Sequence, residues 1–325
     1  MTNGEAVPKM NTTSDKSLDG ALILQGNSNH LFLLYPNNKD LIISKGRFSI
    51  VYPAIMMPDR KRVICKFLHN SLKSDPERIS RFFIESSLNF EKPGVVKNID
   101  FISHETGLYL FQEYVDGIDL VSYLNGTRIS RQNREKTVCR IMVSLLDALV
   151  SAHEAGVFHC GLKPGSIIIT NDTNDSDAFV QITLIDFALC QTTRYIPQQT
   201  TKTRISYNIK YSAPELLLNH LHLVRASTDL FSIGLMMYEL ISGTPPHKSQ
   251  NPINMVQMQV SAPIPSHDAI SEPVMNIIRK ACEKPYFRKP PGAYSFEETD
   301  QLLQESFQYR YLNCAQMATD LLKLL

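Results

Sequence analysis

The chain has no real excess of either charge: 33 lysines and arginines stand against 32 aspartates and glutamates, a formal net charge of +1. Such a balance sets up no field to steer a polyanion. Neither nucleic acid nor a membrane surface is therefore expected as a partner. Cysteine is also sparse, with Cys65, Cys139, Cys160, Cys190, Cys282 and Cys314 scattered and no C-x-x-C pair. This argues against a disulfide or zinc framework and points to a reducing cytoplasm. Long apolar runs are missing. The stretches at 141–150 and 230–241 are interrupted by Asp147 and Glu239 and are too short to span a bilayer. The first 19 residues hold no apolar segment of the kind a signal peptide needs. The expectation is a soluble, cytoplasmic protein.

What is present is enough apolar material for one large core or two modest ones, 43% of 325 residues. Residues 1–19, rich in Ser, Thr, Asn, Lys and Asp, read as a disordered leader that cannot bury enough surface to offset its ordering entropy. Residues 21–24 and 30–35 flank a Gly-Asn-Ser-Asn turn and predict a hairpin. Strand signal follows at 41–44, 48–55 and 62–68. Asp75-Pro76 then starts a helix to about residue 90, and further strands are expected at 95–102 and 108–114. After Gly117 the pattern turns helical. Val138, Ile141, Met142, Leu145, Leu146 and Leu149 mark one buried face of a helix over 134–155. Short strands at 166–170 and 180–185, an aperiodic Thr-rich loop at 191–208, and helices at 229–242, 274–283 and 313–325 complete the reading. A β-rich part followed by a helical part is an α+β arrangement, with a cleft expected at the join.

Several short strings carry chemistry. Ser44-Lys45-Gly46-Arg47-Phe48-Ser49-Ile50-Val51 has a glycine where a strand turns, and Val63-Ile64-Cys65-Lys66 places a lysine on a strand. Glu85 lies on the helix that follows. Leu110-Phe111-Gln112-Glu113-Tyr114-Val115 precedes the change to helical character. Further on come Phe158-His159-Cys160-Gly161-Leu162-Lys163-Pro164-Gly165-Ser166-Ile167-Ile168, then Leu184-Ile185-Asp186-Phe187-Ala188 and Ala213-Pro214-Glu215. Each alone is weak, since a lone glycine in a turn is more often just a turn. In this order, from about residue 41 to the end, they resemble the protein kinases, most closely the bacterial Ser/Thr type.

That resemblance implies a bilobal protein-kinase-like fold, with an antiparallel N-lobe sheet carrying one helix and a mainly α-helical C-lobe. The expected division is a 1–19 leader, a 20–37 hairpin extension, an N-lobe at 38–116 and a C-lobe at 117–325. A Pro-rich, then acidic insertion is placed near 286–308. The resemblance further implies that Gly46 covers ATP phosphates and that Lys66 holds the α/β-phosphates while pairing with Glu85. Gln112 falls at the gatekeeper position, and Glu113 and Val115 offer backbone groups to adenine. Val51 and Ile168 cover the adenine faces, and Asp186 binds Mg²⁺. Lys163 contacts the γ-phosphate or stands in electrostatically. Asp229 braces the catalytic-loop backbone, and Glu215 pairs with Arg310.

The departures set the functional expectation. Gly161 stands where the family has the aspartate that accepts the substrate proton, and Ser166 where it has a Mg²⁺-binding asparagine. Ile64 replaces a smaller residue above the adenine, Ala188 replaces the glycine of Asp-Phe-Gly, and Cys160 replaces an arginine that reads activation-loop phosphates at sites such as Thr192, Thr193, Thr200, Thr201 or Thr203. No catalytic set is intact. A pseudokinase that can bind ATP and Mg²⁺ and acts through an unidentified protein partner is the leading expectation. A nucleotide-free scaffold follows, then a noncanonical Ser/Thr kinase.

Overall fold

The computed structural model describes residues 20–27, 29–46, 49–69, 71, 75–126, 131–171, 179–193 and 207–325. The expected leader, Arg47, Phe48, Thr200, Thr201 and Thr203 lie outside the described residues. The chain divides into two compact units, one holding residues up to 90 and 96–116, the other residues 91–95 and 117–325.

The first unit is an antiparallel sheet with one helix. Its strands are β1 (Leu22–Gln25), β2 (Leu31–Leu34), β3 (Ser44–Lys45), β4 (Ile50–Met57), β5 (Lys61–His69), β6 (Asn98–His104) and β7 (Gly107–Glu113), in the order β1-β2-β4-β5-β7-β6 with β3 also on β4. The expected hairpin is integral to this sheet: Leu22 opposes Leu34, and Phe32 opposes Met56 of β4. Strands β2 and β3 share one edge of β4, with β3 facing Ile50 and Val51 and β2 facing Ile55 to Met57. The expected strand at 41–44 is instead a 3₁₀ turn, Lys39–Leu41, followed by the two-residue β3. The Asn38 side chain stops the extended run by accepting from the Asp40 N–H. The sheet curls until Asn27 in the β1–β2 turn donates to Asp100 Oδ1 (3.0 Å) and Phe101 O (3.1 Å) on β6. Inside it Phe32 stacks on Phe111, ring centroids 3.9 Å apart.

Helix α1 (Pro76–Ser87) begins as read from the sequence, Asp75 accepting from the Glu77 and Arg78 N–H groups and Pro76 occupying the first turn. It stops three residues before the expected end. There Asn98 of β6 donates to the carbonyls of Glu85 (2.7 Å), Ser86 (3.3 Å) and Leu88 (2.9 Å), satisfying oxygens that a longer helix would have used itself.

The second unit is mainly helical. In chain order it holds β8 (Ile118–Asp119), α2 (Leu120–Gly126), α3 (Arg131–Glu154), β9 (Val157–Phe158), β10 (Ile167–Asn171), β11 (Gln181–Leu184), β12 (Gln191–Thr192), α4 (Pro214–Leu217), α5 (Ala226–Ser242), α6 (Pro252–Ser261), α7 (Glu272–Ala281), α8 (Phe296–Phe307) and α9 (Cys314–Leu322). Strand β10 pairs β11 and β8, and β9 pairs β12. Helix α3 buries the face that the sequence pattern marks, and α5 is buried along almost its whole length. Helices α6 and α8 were not among the expected elements, although Asn251-Pro252 and the Ser295/Glu298 capping box announce their starts. All six cysteines are buried, and none forms a disulfide. Among the described residues no helix is long and apolar enough to cross a membrane.

Candidate active site

In the first unit, register brings several of the expected site positions onto neighbouring strands. Val51 on β4 opposes Lys66 on β5, and Ile64, half-buried, lies between Pro53 and Gln112. Gly46, next after β3, donates its N–H to Ser49 O (2.9 Å). Lys66 reaches α1, its Nζ 2.5 Å from Glu85 Oε1, with both side chains nearly excluded from solvent. The cation satisfies the anion, which offsets the cost of desolvating each. Glu113 is held by its neighbour Lys97: its N–H donates to Lys97 O, and its carboxylate accepts from Lys97 N–H, both at 3.0 Å. Val115 lies two residues past the end of β7.

The buried Gln112 donates to Asn98 Oδ1 (2.8 Å), and Asn98 holds the carbonyl end of the Glu85 helix. The Gln112 side chain is thus tied to the helix that carries the acidic partner of Lys66. Asn98 was not picked out from sequence. An asparagine at a strand start carries no signal until the helix end it caps is in place.

In the second unit, the loop between β9 and β10 is hung from one carboxylate. Asp229 of α5, wholly buried, accepts from His159 N–H through Oδ2 and from Cys160 N–H through Oδ1, each at 2.8 Å, and meets His153 Nε2 at 2.8 Å. Burial alone would push this carboxyl up, but the hydrogen bond and charge of His153, with His159 and the Cys160 N–H, hold it below the usual range. His159 bridges onward, accepting from Gly161 N–H at Nδ1 (3.2 Å) and meeting Ile185 O at Nε2 (3.1 Å). Cys160 packs against Tyr207, Leu216 and Leu221, so the arginine position has become part of a core.

Gly161 does not occupy the left-handed backbone region. A side chain there would meet Leu189 Cβ and Cδ1 at 3.3 Å, so the carboxylate is missing from a place the backbone could hold one. Ser166, fully buried, spends its hydroxyl locally: Oγ donates to Lys163 O (2.7 Å) and accepts from Lys163 N–H (3.2 Å), closing the turn that starts β10. Ile168 pairs with Thr183 and with Asp119. Asp186 sits just past β11 with φ +70°, a strained conformation that aspartate tolerates better than most residues and that tends to persist at functional positions. Its Oδ2 lies 3.2 Å from Lys163 Nζ. Glu215 and Arg310 form a fully buried pair in which Arg310 Nη1 reaches both Glu215 oxygens at 3.1 Å, and Thr228 adds a hydrogen bond to Glu215 Oε1 (2.7 Å). The 286–308 segment, with α8 inside it, therefore separates Arg310 from α7 without displacing it from Glu215.

The protein kinase domain model matches residues 38–303. A probable serine/threonine-protein kinase, pknA2, of Bifidobacterium longum is 31% identical over 285 residues, covering 82% of this chain and 36% of the relative. The serine/threonine-protein kinase pkn3 of Myxococcus xanthus is 28% identical over 281 residues, covering 82% of this chain and 49% of the relative. PrkC, a serine/threonine-protein kinase of Bacillus subtilis, is 24% identical over 262 residues, 79% of this chain and 38% of its own length. The sheet with its single helix, the helical unit and these likenesses agree, and the chain belongs to the protein kinase family. It spans between a third and a half of the length of these bacterial relatives.

Proposed function

We propose that this chain is a pseudokinase domain that binds ATP with Mg²⁺ and works by protein–protein contact rather than by phosphoryl transfer. The observation that carries the reading is the pairing of Gly161 with a Ser166 whose hydroxyl closes its own turn. A positioned acid or base contributes about 10²–10⁴ in rate, roughly 3–5 kcal/mol of barrier, and glycine has no side chain to accept a proton. The second Mg²⁺ position is no better served, since a buried hydroxyl engaged twice with Lys163 offers a metal little.

Nucleotide binding is supported by what remains. Kinase domains use ATP and Mg²⁺, and here the Lys66–Glu85 pair is formed and Asp186 holds its αL backbone. By its chemistry the lysine suits phosphate oxygens, and the carboxylate suits a Mg²⁺ ion. Lys66 would hold the phosphate oxygens, and Asp186 would ligate the cation after giving up Lys163. When bound, the cation would neutralise phosphate charge, and a nucleotide that prefers one conformation would stabilise it without any chemistry.

Calorimetric titration with ATP, with and without Mg²⁺, tests the binding, and Asp186→Ala should remove the Mg²⁺-dependent part. A radiolabelled-phosphate assay tests the absence of transfer: robust turnover abolished by Asp186→Ala would move the chain to a noncanonical Ser/Thr kinase, a reading that the retained Lys163 favours. No binding at millimolar ATP would move it to a nucleotide-free scaffold, which Ile64 favours through its added bulk.

A further inference from the structure

The segment that follows α4 and the helix inside the 286–308 insertion meet at a cluster the kinase machinery does not use. His220 Nδ1, His222 Nε2 and an Asp300 carboxylate oxygen lie within 4.8 Å of one another. Asp300 Oδ1 is the focus, 3.0 Å from His220 Nδ1 and 2.6 Å from His222 Nε2. We propose that His220, His222 and Asp300 form a Zn²⁺ site that staples α8 to the segment behind the Ala213-Pro214-Glu215 motif.

The donor set chooses the class of cation. Two imidazoles and one carboxylate, without thiolate, suit a borderline divalent ion of the zinc type, whereas Mg²⁺ and Ca²⁺ take oxygen ligands. Bonds of about 2.0–2.1 Å at tetrahedral angles separate donors by about 3.4 Å; the two contacts to Asp300 Oδ1, 3.0 and 2.6 Å, are shorter than that, so the trio would part by less than an ångström at each contact to admit an ion. The cation takes the place of the two contacts to Asp300, and each ring then carries its single proton on the nitrogen that faces away.

The surroundings are those of a built site. The His220 ring, 2% exposed, stacks on Phe296 at 4.1 Å with the planes 10° apart, which fixes the direction of Nδ1. Its backbone N–H donates to Glu215 O (2.8 Å). Asp300 Oδ2 accepts from Gln304 Nε2 (2.6 Å), one turn along α8, leaving Oδ1 directed at the rings. Such outer partners orient ligands and hold them ready. Below the cluster Leu223, Leu303 and Phe307 form a common core, so the two elements are packed together with or without an ion. His222 is 36% exposed, which leaves a path for the cation and room for a water as fourth ligand.

The test uses the full chain, stripped with a chelator and titrated with Zn²⁺ by calorimetry and with Co²⁺ by visible absorption. His222→Ala and Asp300→Asn are the variants, since both leave the buried His220 and its stack on Phe296 in place. One equivalent of Zn²⁺ should bind, weakening about 100-fold or more in either variant, with a Co²⁺ spectrum of nitrogen and oxygen ligands and a Zn²⁺-dependent rise in thermal midpoint that the variants lose. Zn²⁺ binding unchanged by the variants, a sulfur-to-cobalt charge-transfer band, or no binding beyond that of the double variant would overturn the site and leave a His–Asp–His hydrogen-bond cluster only.

Discussion

Lys66 Nζ and Glu85 Oε1 lie 2.5 Å apart, the lysine on β5 and the glutamate on α1, both almost wholly out of water. The pair ties α1 to β5. Removing one partner breaks a buried ion pair. Glu85→Ala is therefore expected to cost about 3–5 kcal/mol. Lys66→Met combined with Glu85→Leu removes both charges and should recover most of that loss. Chemical denaturation of the single and double variants measures both values. A double variant no more stable than Glu85→Ala would show that the pair does not act as a unit.

The backbone of Gly161 does not demand glycine, but a Cβ there meets Leu189 Cβ and Cδ1 at 3.3 Å. Gly161→Asp should fold with some loss of stability, because Leu189 must yield by a few tenths of an ångström and its Cβ carries the backbone with it. It should not restore phosphoryl transfer alone, since Ser166 is still committed to its turn. Adding Ser166→Asn should raise transfer above that of Gly161→Asp by a factor within the 10²–10⁴ range of a positioned group. Full activity from the single change, read in a radiolabelled-phosphate assay, would show that the serine matters less than its hydrogen bonds suggest.

Asp229 uses its two oxygens on two different backbone donors, the N–H groups of His159 and Cys160. Asparagine has one acceptor oxygen, so Asp229→Asn sets an amide N–H₂ against one of those N–H groups and also weakens the contact with His153. A loss of about 3 kcal/mol is expected, the scale for stranding a buried donor together with a charge-assisted bond. The loss should appear in the thermal unfolding of the full chain without any nucleotide present. A shift under about 1 kcal/mol would mean that the loop does not depend on this carboxylate.

Much of the fold was legible because the deciding signals are local. Asp75-Pro76 caps and starts α1 where the sequence puts it, and the apolar spacing of 138–149 marks the face that α3 buries. The pairing of Glu215 with Arg310, 95 residues apart, was also anticipated, but only through the family resemblance. What stayed hidden depends on contacts between distant residues. Ser166 as a turn-closing group, Asn98 as the helix-end partner of Gln112, and the meeting of His220 and His222 with Asp300 leave no periodic trace. The start of α8 was different. The capping box from Ser295 to Glu298 was readable, yet it follows a Pro-rich stretch that suggested a loop.

His247 and Lys284 form a buried contact of another kind, Lys284 Nζ lying 2.9 Å from His247 Nε2 while also donating to Ala262 O (2.6 Å) and Met258 O (3.2 Å). The ammonium needs a neutral imidazole beside it. Burial, and then the charge of Lys284, push His247 down to about 4, and burial pushes Lys284 down to about 8. The folded histidine thus resists a proton that the unfolded chain accepts near 6.5. Between those values the unfolded state binds more protons, so stability must fall as pH drops from 6.5 towards 4 and level off below that as far as this residue is concerned. Lys284 acts in the same direction from 10.5 down to about 8. His247→Gln keeps an amide oxygen for Lys284 and does not titrate, so its thermal midpoint should decline less than the parent's between pH 6.5 and 4.5. Parallel declines in the two proteins would assign the acid sensitivity of this window to other groups, and not to Asp229, whose carboxyl, held low in the folded state, loses its contribution only at lower pH, through and below the ordinary carboxylate range.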